Sequence, residues 1–225
     1  MRCEMKYKNV LFDLDGTVTD PYMGITSSIL HSLKYYGHIA APARETLKPF
    51  IGPPLYDSFR KYYGFSHDDA NLAVKYYREY FAPKGLYENV IYNGVPEMLA
   101  TLQAAGVNIG LATSKPEVFA EKIISHFALS KYFDFICGAT LDESRNTKDS
   151  VIAYALDRFN ASPSETVMVG DRIHDISGAK KNSLLYSIGV LYGFAPEREL
   201  EDAGADFIAK DVLELTHIIS ELIRR

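Results

Sequence analysis

Short apolar runs that alternate with amphipathic helical patterns restrict this chain more than any other feature of its sequence. The runs occupy residues 9–14, 107–113, 133–138, 166–170, 185–190 and 206–209. Helical patterns stand between several of them. Val95, Met98, Leu99 and Leu102 recur at helical spacing over 94–105, and Val118, Phe119, Ile123 and Phe127 over 117–127. Val151, Ile152, Ala155, Leu156 and Phe159 do the same over 148–159. A continuous apolar run suits a strand covered on both faces, and a 3.6-residue period suits a helix with one buried face. Their alternation predicts an α/β fold: a Rossmann-like, mostly parallel sheet with helices packed on it.

Residues 20–88 read differently. Helical patterns over 22–36, 43–48, 55–63 and 67–81 are separated by Gly37, the 49–54 stretch, Gly64 and Pro83, with no strand pattern. The expected division is an α/β core of 1–19 and 89–225, with an all-helical cap of 20–88 inserted after the first strand. An insertion at the carboxyl end of a strand stands above the place where such sheets bind ligands, so the cap is expected to act as a lid. Eleven of the sixteen tyrosines fall between Tyr22 and Tyr92. Stacking on a base is one use for them, but Leu72, Tyr76, Tyr77, Tyr80 and Phe81 recur at helical spacing and are expected to pack the cap's own core. Tyr22, Arg60 and the Gly52-Pro53-Pro54 loop are expected nearer the substrate.

The bulk numbers narrow the function. With 225 residues, 47% apolar and 24% charged, the chain can bury one sizeable core and a smaller one. A net charge of −5 excludes a broad nucleic-acid footprint, which needs a basic surface. Two cysteines, Cys3 and Cys137, form no disulfide framework and fit a reducing compartment. Cys137 reads as a strand filler and Cys3 as part of a frayed terminus. The opening MRCEMKYKN lacks the apolar segment of a signal peptide, and no apolar run reaches membrane-spanning length. A cytoplasmic protein without membrane or nucleic-acid partners, a monomer or weak homodimer, is expected.

Four groups carry chemistry. Asp13 and Asp15 close the first apolar run, two residues apart, before the turn residues Gly16 and Thr17. Two neighbouring carboxylates at the end of a buried strand are costly unless a cation is near. Thr113 and Ser114 end a second strand pattern just before a helix, whose N-terminus favours an anion. Thr113 is favoured for phosphate contact. Ser114 equally matches a helix-capping box with Glu117. Lys148 follows the helix-start pair Asn146-Thr147, where a cation opposes the helix dipole by about 0.3–1 kcal/mol unless an anion holds it. Neighbouring Lys115 and Arg145 could do similar work, but both read more readily as solvated surface charges. Asp171 ends the apolar run 166–170, and Asp175 lies one helical turn later. Hard carboxylate oxygens suit Mg²⁺, and nothing has the cysteine or histidine spacing of a zinc site. Arg172 and His174 read as supporting or surface groups.

Together, DLDGT at 13–17, Thr113-Ser114, Lys148 and GDRIHD at 170–175 resemble the four ordered motifs of the haloacid dehalogenase superfamily. The likeness spans nearly the whole chain. In detail it resembles the phosphoglycolate phosphatase group with a helical cap, and the 138–145 run is similar to a branch labelled 5′-nucleotidase. The resemblance implies a phosphatase of small phosphorylated metabolites that needs Mg²⁺ and forms a phospho-aspartate on Asp13. Asp13 would be nucleophile and metal ligand; Asp15 would be general acid and base, its backbone carbonyl also on the metal. Thr113, Ser114 and Lys148 would hold the phosphoryl group. Asp171 and Asp175 would bind the metal, Asp175 directly or through water. A sugar phosphomutase of the same superfamily, and a catalytically silent binding module, are the alternatives. The second would be expected to have lost one of Asp13, Asp15, Lys148 or Asp171, and all four are present.

Overall fold

A computed structural model describes residues 8–37, 39–142 and 144–224, so Cys3 lies outside the described residues. Contacts divide the chain into two compact units, one of residues 1–19 and 91–225, the other of residues 20–90.

The first unit is built on β1 (Asn9–Phe12), followed by the two-residue β2 (Thr19–Asp20) that leads out of it. The helices of the second unit are α1 (Tyr22–Gly37), α2 (Leu55–Tyr63) and α3 (His67–Phe81), and β3 (Val90–Ile91) leads back. The first unit then continues through α4 (Val95–Ala104), β4 (Asn108–Pro116), α5 (Glu117–His126), β5 (Phe135–Ala139) and α6 (Lys148–Phe159). It ends with β6 (Thr166–Gly170), α7 (Ile173–Lys181), β7 (Tyr186–Val190), α8 (Glu199–Asp202), β8 (Phe207–Ala209) and α9 (Val212–Arg224).

Six strands form one sheet in the order β5-β4-β1-β6-β7-β8. Its ladders are parallel throughout. The α/β fold expected from the alternation is therefore present. Every residue of β1 is buried because the strand is central and both its faces are covered. On one face Leu11, Ala112 and Met168 pack with Val151, Ile152 and Ala155 of α6 and Ala179 of α7. Cys137 belongs to the same cluster, as its strand-filling role requires. Alternation sends Val10, Phe12, Ile109 and Leu111 to the other face, where they are also buried. From β1 the chain winds outward to β4 and β5 on one side and later to β6, β7 and β8 on the other. The carboxyl ends of β4, β1 and β6 consequently flank the switch point, where sheets of this kind hold ligands.

The second unit packs α1 against α3 and α3 against α2. Ser32 Oγ donates to Ala73 O at 2.7 Å across the first pair. Helix α2 stops at Gly64, whose φ of +65° suits glycine. Ser66 caps α3 by accepting from Asp69 N at 3.2 Å. Residues 43–48, read as a helix, belong instead to a 3₁₀ run, Arg44–Phe50. Leu72 is exposed, contrary to expectation. The inward face of α3 is Ala70, Ala73, Val74, Tyr77 and Phe81, which leaves Leu72 outside it. No helix among the described residues is long and apolar enough to cross a membrane.

Candidate active site

Asp13 sits just beyond β1, where its N–H still donates to Val169 O at 2.9 Å and so fixes it between β1 and β6. Its Oδ1 accepts from Leu14 N at 2.7 Å and lies 2.8 Å from Lys148 Nζ. The chain then coils tightly. The N–H groups of Thr17, Val18 and Thr19 all point at Leu14 O, and Gly16 N donates to Thr19 O at 2.8 Å. Gly16 has a φ of +84°, and a Cβ there would collide with the Asp171 carboxylate. Glycine thus meets two demands at that position.

Lys148 is the first residue of α6, whose N-cap Thr147 accepts from Ser150 N. Its ammonium is buried, and besides Asp13 it reaches Asp175 Oδ1 at 2.8 Å and donates to Ala112 O at 3.0 Å. Burial alone would lower its pKa, but Asp13 and Asp175 outweigh burial and raise it. Asp171 follows β6 directly, and its Oδ2 accepts from Phe194 N at 2.7 Å. Asp175 lies in the first turn of α7. Arg172 N donates to its Oδ2 at 3.0 Å while Asp175 N donates to Arg172 O, so α7 begins in a reciprocal clasp. Gly170 lets the Asp175 carboxylate lie against β6, since a Cβ there would meet its Cγ.

Thr113 is buried at the carboxyl end of β4, and its Oγ1 accepts from Lys115 N at 3.2 Å. Ser114 is only half-buried. It does not cap α5: β4 runs on through Pro116, with a register shift against β5 after Thr113, and α5 begins at Glu117. The Glu117 carboxylate is used elsewhere, accepting from Gly138 N at 3.0 Å and from Arg145 Nη2 at 3.1 Å. Arg145 is consequently no free surface charge. It also donates through Nε to Gly138 O and lies 3.7 Å over the Tyr154 ring.

Lys115 needs the larger correction. It is buried, and its Nζ lies 2.8 Å from Asp15 Oδ2. The signal was present in the spacing: alternate strand residues share a face, and Lys115 stands two after Thr113. Arg172 is also buried and pairs with Glu199 at 2.8 Å, whereas His174 is exposed.

The structure therefore gathers Asp13, Asp15, Thr113, Lys115, Lys148, Asp171 and Asp175 at the carboxyl ends of β1, β4 and β6, with Ser114 beside them. Four buried carboxyl groups face two buried ammonium groups, an excess of two negative charges when all are ionised. Asp13, Asp171 and Asp175 each offer an oxygen, and these lie within 4.8 Å of one another. Asp171 Oδ1, Asp15 Oδ1 and Thr17 Oγ1 are buried without a hydrogen-bond partner among the described residues. Burial drives the Asp171 carboxyl well above its usual pKa, with Asp175 and then Asp13 adding to the effect. Burial also raises Asp175, to about 6, against the pull of Lys148. The orphaned oxygen, the charge excess and the hard donor set fit a divalent cation.

Such an assembly of carboxylates and lysines at a switch point has the charged and hydroxyl groups that phosphoryl transfer calls for. Residues 10–186 match the model of the haloacid dehalogenase-like hydrolases, and the chain belongs to that family. It is 42% identical over 215 residues to a 5′-nucleotidase of Pseudomonas aeruginosa, with 96% of each chain covered. It is 46% identical to the solved structure of a predicted phosphatase from Clostridium acetobutylicum, with a TM-score of 0.92 and coverage of 96% and 99%. A tyrosine-protein kinase PtkA of Mycobacterium tuberculosis is 40% identical over 177 residues, 78% of this chain and 59% of that protein. Within the family, the chain is a phosphatase.

Proposed function

We propose that the chain is a Mg²⁺-dependent phosphomonoester hydrolase acting through a phospho-aspartate on Asp13, with a nucleoside 5′-monophosphate as substrate and phosphoglycolate as the next candidate. One observation carries the mechanism: Asp13 lies in a buried acid cluster with its carboxylate held at 2.8 Å by Lys148. The 42% identity with a 5′-nucleotidase over nearly the whole chain supports the substrate class.

Asp13 attacks phosphorus while the leaving oxygen departs in line. Asp15, whose carboxyl burial raises in pKa against the pull of Lys115, gives that oxygen a proton. The acyl phosphate is then hydrolysed by water, which Asp15 deprotonates, regenerating the Asp13 carboxylate and releasing phosphate. Lys148 and Thr113 hold phosphoryl oxygens, with the half-buried Ser114 next in sequence to Thr113. Mg²⁺ held by Asp13, Asp171 and Asp175, with the Asp15 carbonyl, would supply charge neutralisation for the incoming phosphate dianion.

The test is phosphate release from a panel of nucleoside monophosphates, phosphoglycolate and sugar phosphates, with and without Mg²⁺, in wild type and Asp13→Asn. Wild-type turnover that needs Mg²⁺ and vanishes in the variant is expected. Equal release by both proteins would remove Asp13 as nucleophile.

A further inference from the structure

We infer that Lys115 is a positioning residue that presents one oxygen of Asp15 for proton transfer; the inference rests on the acid–base role proposed for Asp15. Lys115 acts from both ends. Its backbone N–H donates to Thr113 Oγ1 at 3.2 Å, which leaves the hydroxyl proton of Thr113 unused by that amide. Its ammonium lies 2.8 Å from Asp15 Oδ2. The two side chains are nearly sealed from solvent, at 5% and 11% exposure, so water does not loosen the pair.

The consequence is an asymmetry between the two Asp15 oxygens. Oδ2 is taken by the ammonium. Oδ1 is buried and has no hydrogen-bond partner among the described residues. An unpartnered carboxylate oxygen at such a place is costly unless something else uses it. We assign that use to the leaving-group oxygen in the first step and to the attacking water in the second. Lys148, the other buried lysine, pairs with Asp13, Asp175 and Ala112 rather than with Asp15. The two lysines thus divide the site: one holds the nucleophile, the other aims the acid.

Leaving-group dependence separates this role from a structural one. An alkyl phosphate needs a proton on its departing oxygen, whereas p-nitrophenyl phosphate expels a stable phenolate without one. In Lys115→Met, kcat/KM for alkyl monoesters such as a nucleoside 5′-monophosphate should fall about 100-fold, but for p-nitrophenyl phosphate by less than about threefold. Asp15→Asn should show the same pattern more strongly. If Asp15→Asn is selective and Lys115→Met lowers both substrates equally, Lys115 is a phosphate clamp or a packing residue and the inference fails alone. If Asp15→Asn is itself unselective, the acid–base reading of Asp15 fails first. Lys115→Arg keeps the charge but changes its reach, so it carries the same comparison should Lys115→Met not fold. A selective loss in the arginine variant supports positioning, and a uniform loss overturns it.

Discussion

Replacing Lys148 with methionine removes one ammonium while keeping most of the side-chain volume. Its nitrogen lies 2.8 Å from both Asp13 and Asp175, and all three groups are buried. Breaking a buried ion pair by deleting one partner costs about 3–5 kcal/mol, because the remaining charge is left uncompensated. Here two carboxylates lose their cation, which puts the expected loss at the upper end, about 4–5 kcal/mol in EDTA. Against a total stability of about 5–15 kcal/mol that is a large fraction, and for a chain of this size it corresponds to a fall in Tm of about 8–20 °C. Asp175 titrates near 6, so part of its charge is gone at pH 5 and the loss should be smaller there than at pH 8. Urea unfolding followed by far-UV circular dichroism, at both pH values and with EDTA or Mg²⁺, measures this. Mg²⁺ should recover part of the loss by taking over the carboxylates. A loss below about 1 kcal/mol at pH 8 in EDTA, the range of a solvated surface pair, would refute the account of Lys148 as the internal counter-charge of the site.

Three further outcomes are expected. The Asp171 carboxyl is raised in the folded protein, so the fold holds a proton that the unfolded chain releases above its ordinary value of 3.8. This contribution is therefore complete below that pH and is lost as pH rises through the folded-state value; thermal scans should show Mg²⁺ raising Tm more at pH 8 than at pH 5. Gly16→Ala should lower kcat/KM at least about 100-fold and cost more than about 1 kcal/mol of stability, since the residue has φ +84° and its Cβ would strike Asp171; kinetics and urea titration check both. Burial pushes the Cys137 thiol up to about 11, so peptide mapping after iodoacetamide treatment at pH 8 should find Cys137 unlabelled in the native protein and labelled in urea.

Features that depend on local pattern were legible in the sequence. Parallel strands buried on both faces announce themselves as apolar runs, and acidic, hydroxyl and lysine residues placed where those runs end mark out the candidate cluster. Features that depend on what lies opposite were not. Lys115 and Arg145 look like solvated cations because a lysine or arginine says nothing about the carboxylate that will face it. Only the fold brings Asp15 to one and Glu117 to the other. Ser114 matched a capping box, but pairing with β5 kept the backbone extended past it, and strand geometry prevailed over local helix-start chemistry. Leu72 went wrong for a related reason: which face of α3 turns inward depends on the helices packed against it, and that face is Ala70, Ala73, Val74, Tyr77 and Phe81. Helix α9 carried a usable signal in Val212, Leu215, Ile219 and Leu222, all buried at spacings of three and four residues.

The placement of the site has a bearing on how the enzyme will fail. Strands β4, β1 and β6 are each hydrogen-bonded on both sides, and Lys148 is tied to the first of them through Ala112. Backbone amides in such positions exchange with solvent only when the whole sheet opens, whereas β8 has a single neighbour and is free to fray. The edge can therefore breathe while Asp13, Lys148 and Asp171 keep their registration. On heating, activity should persist through any early loosening of the margin and then disappear in the same narrow interval as the sheet itself.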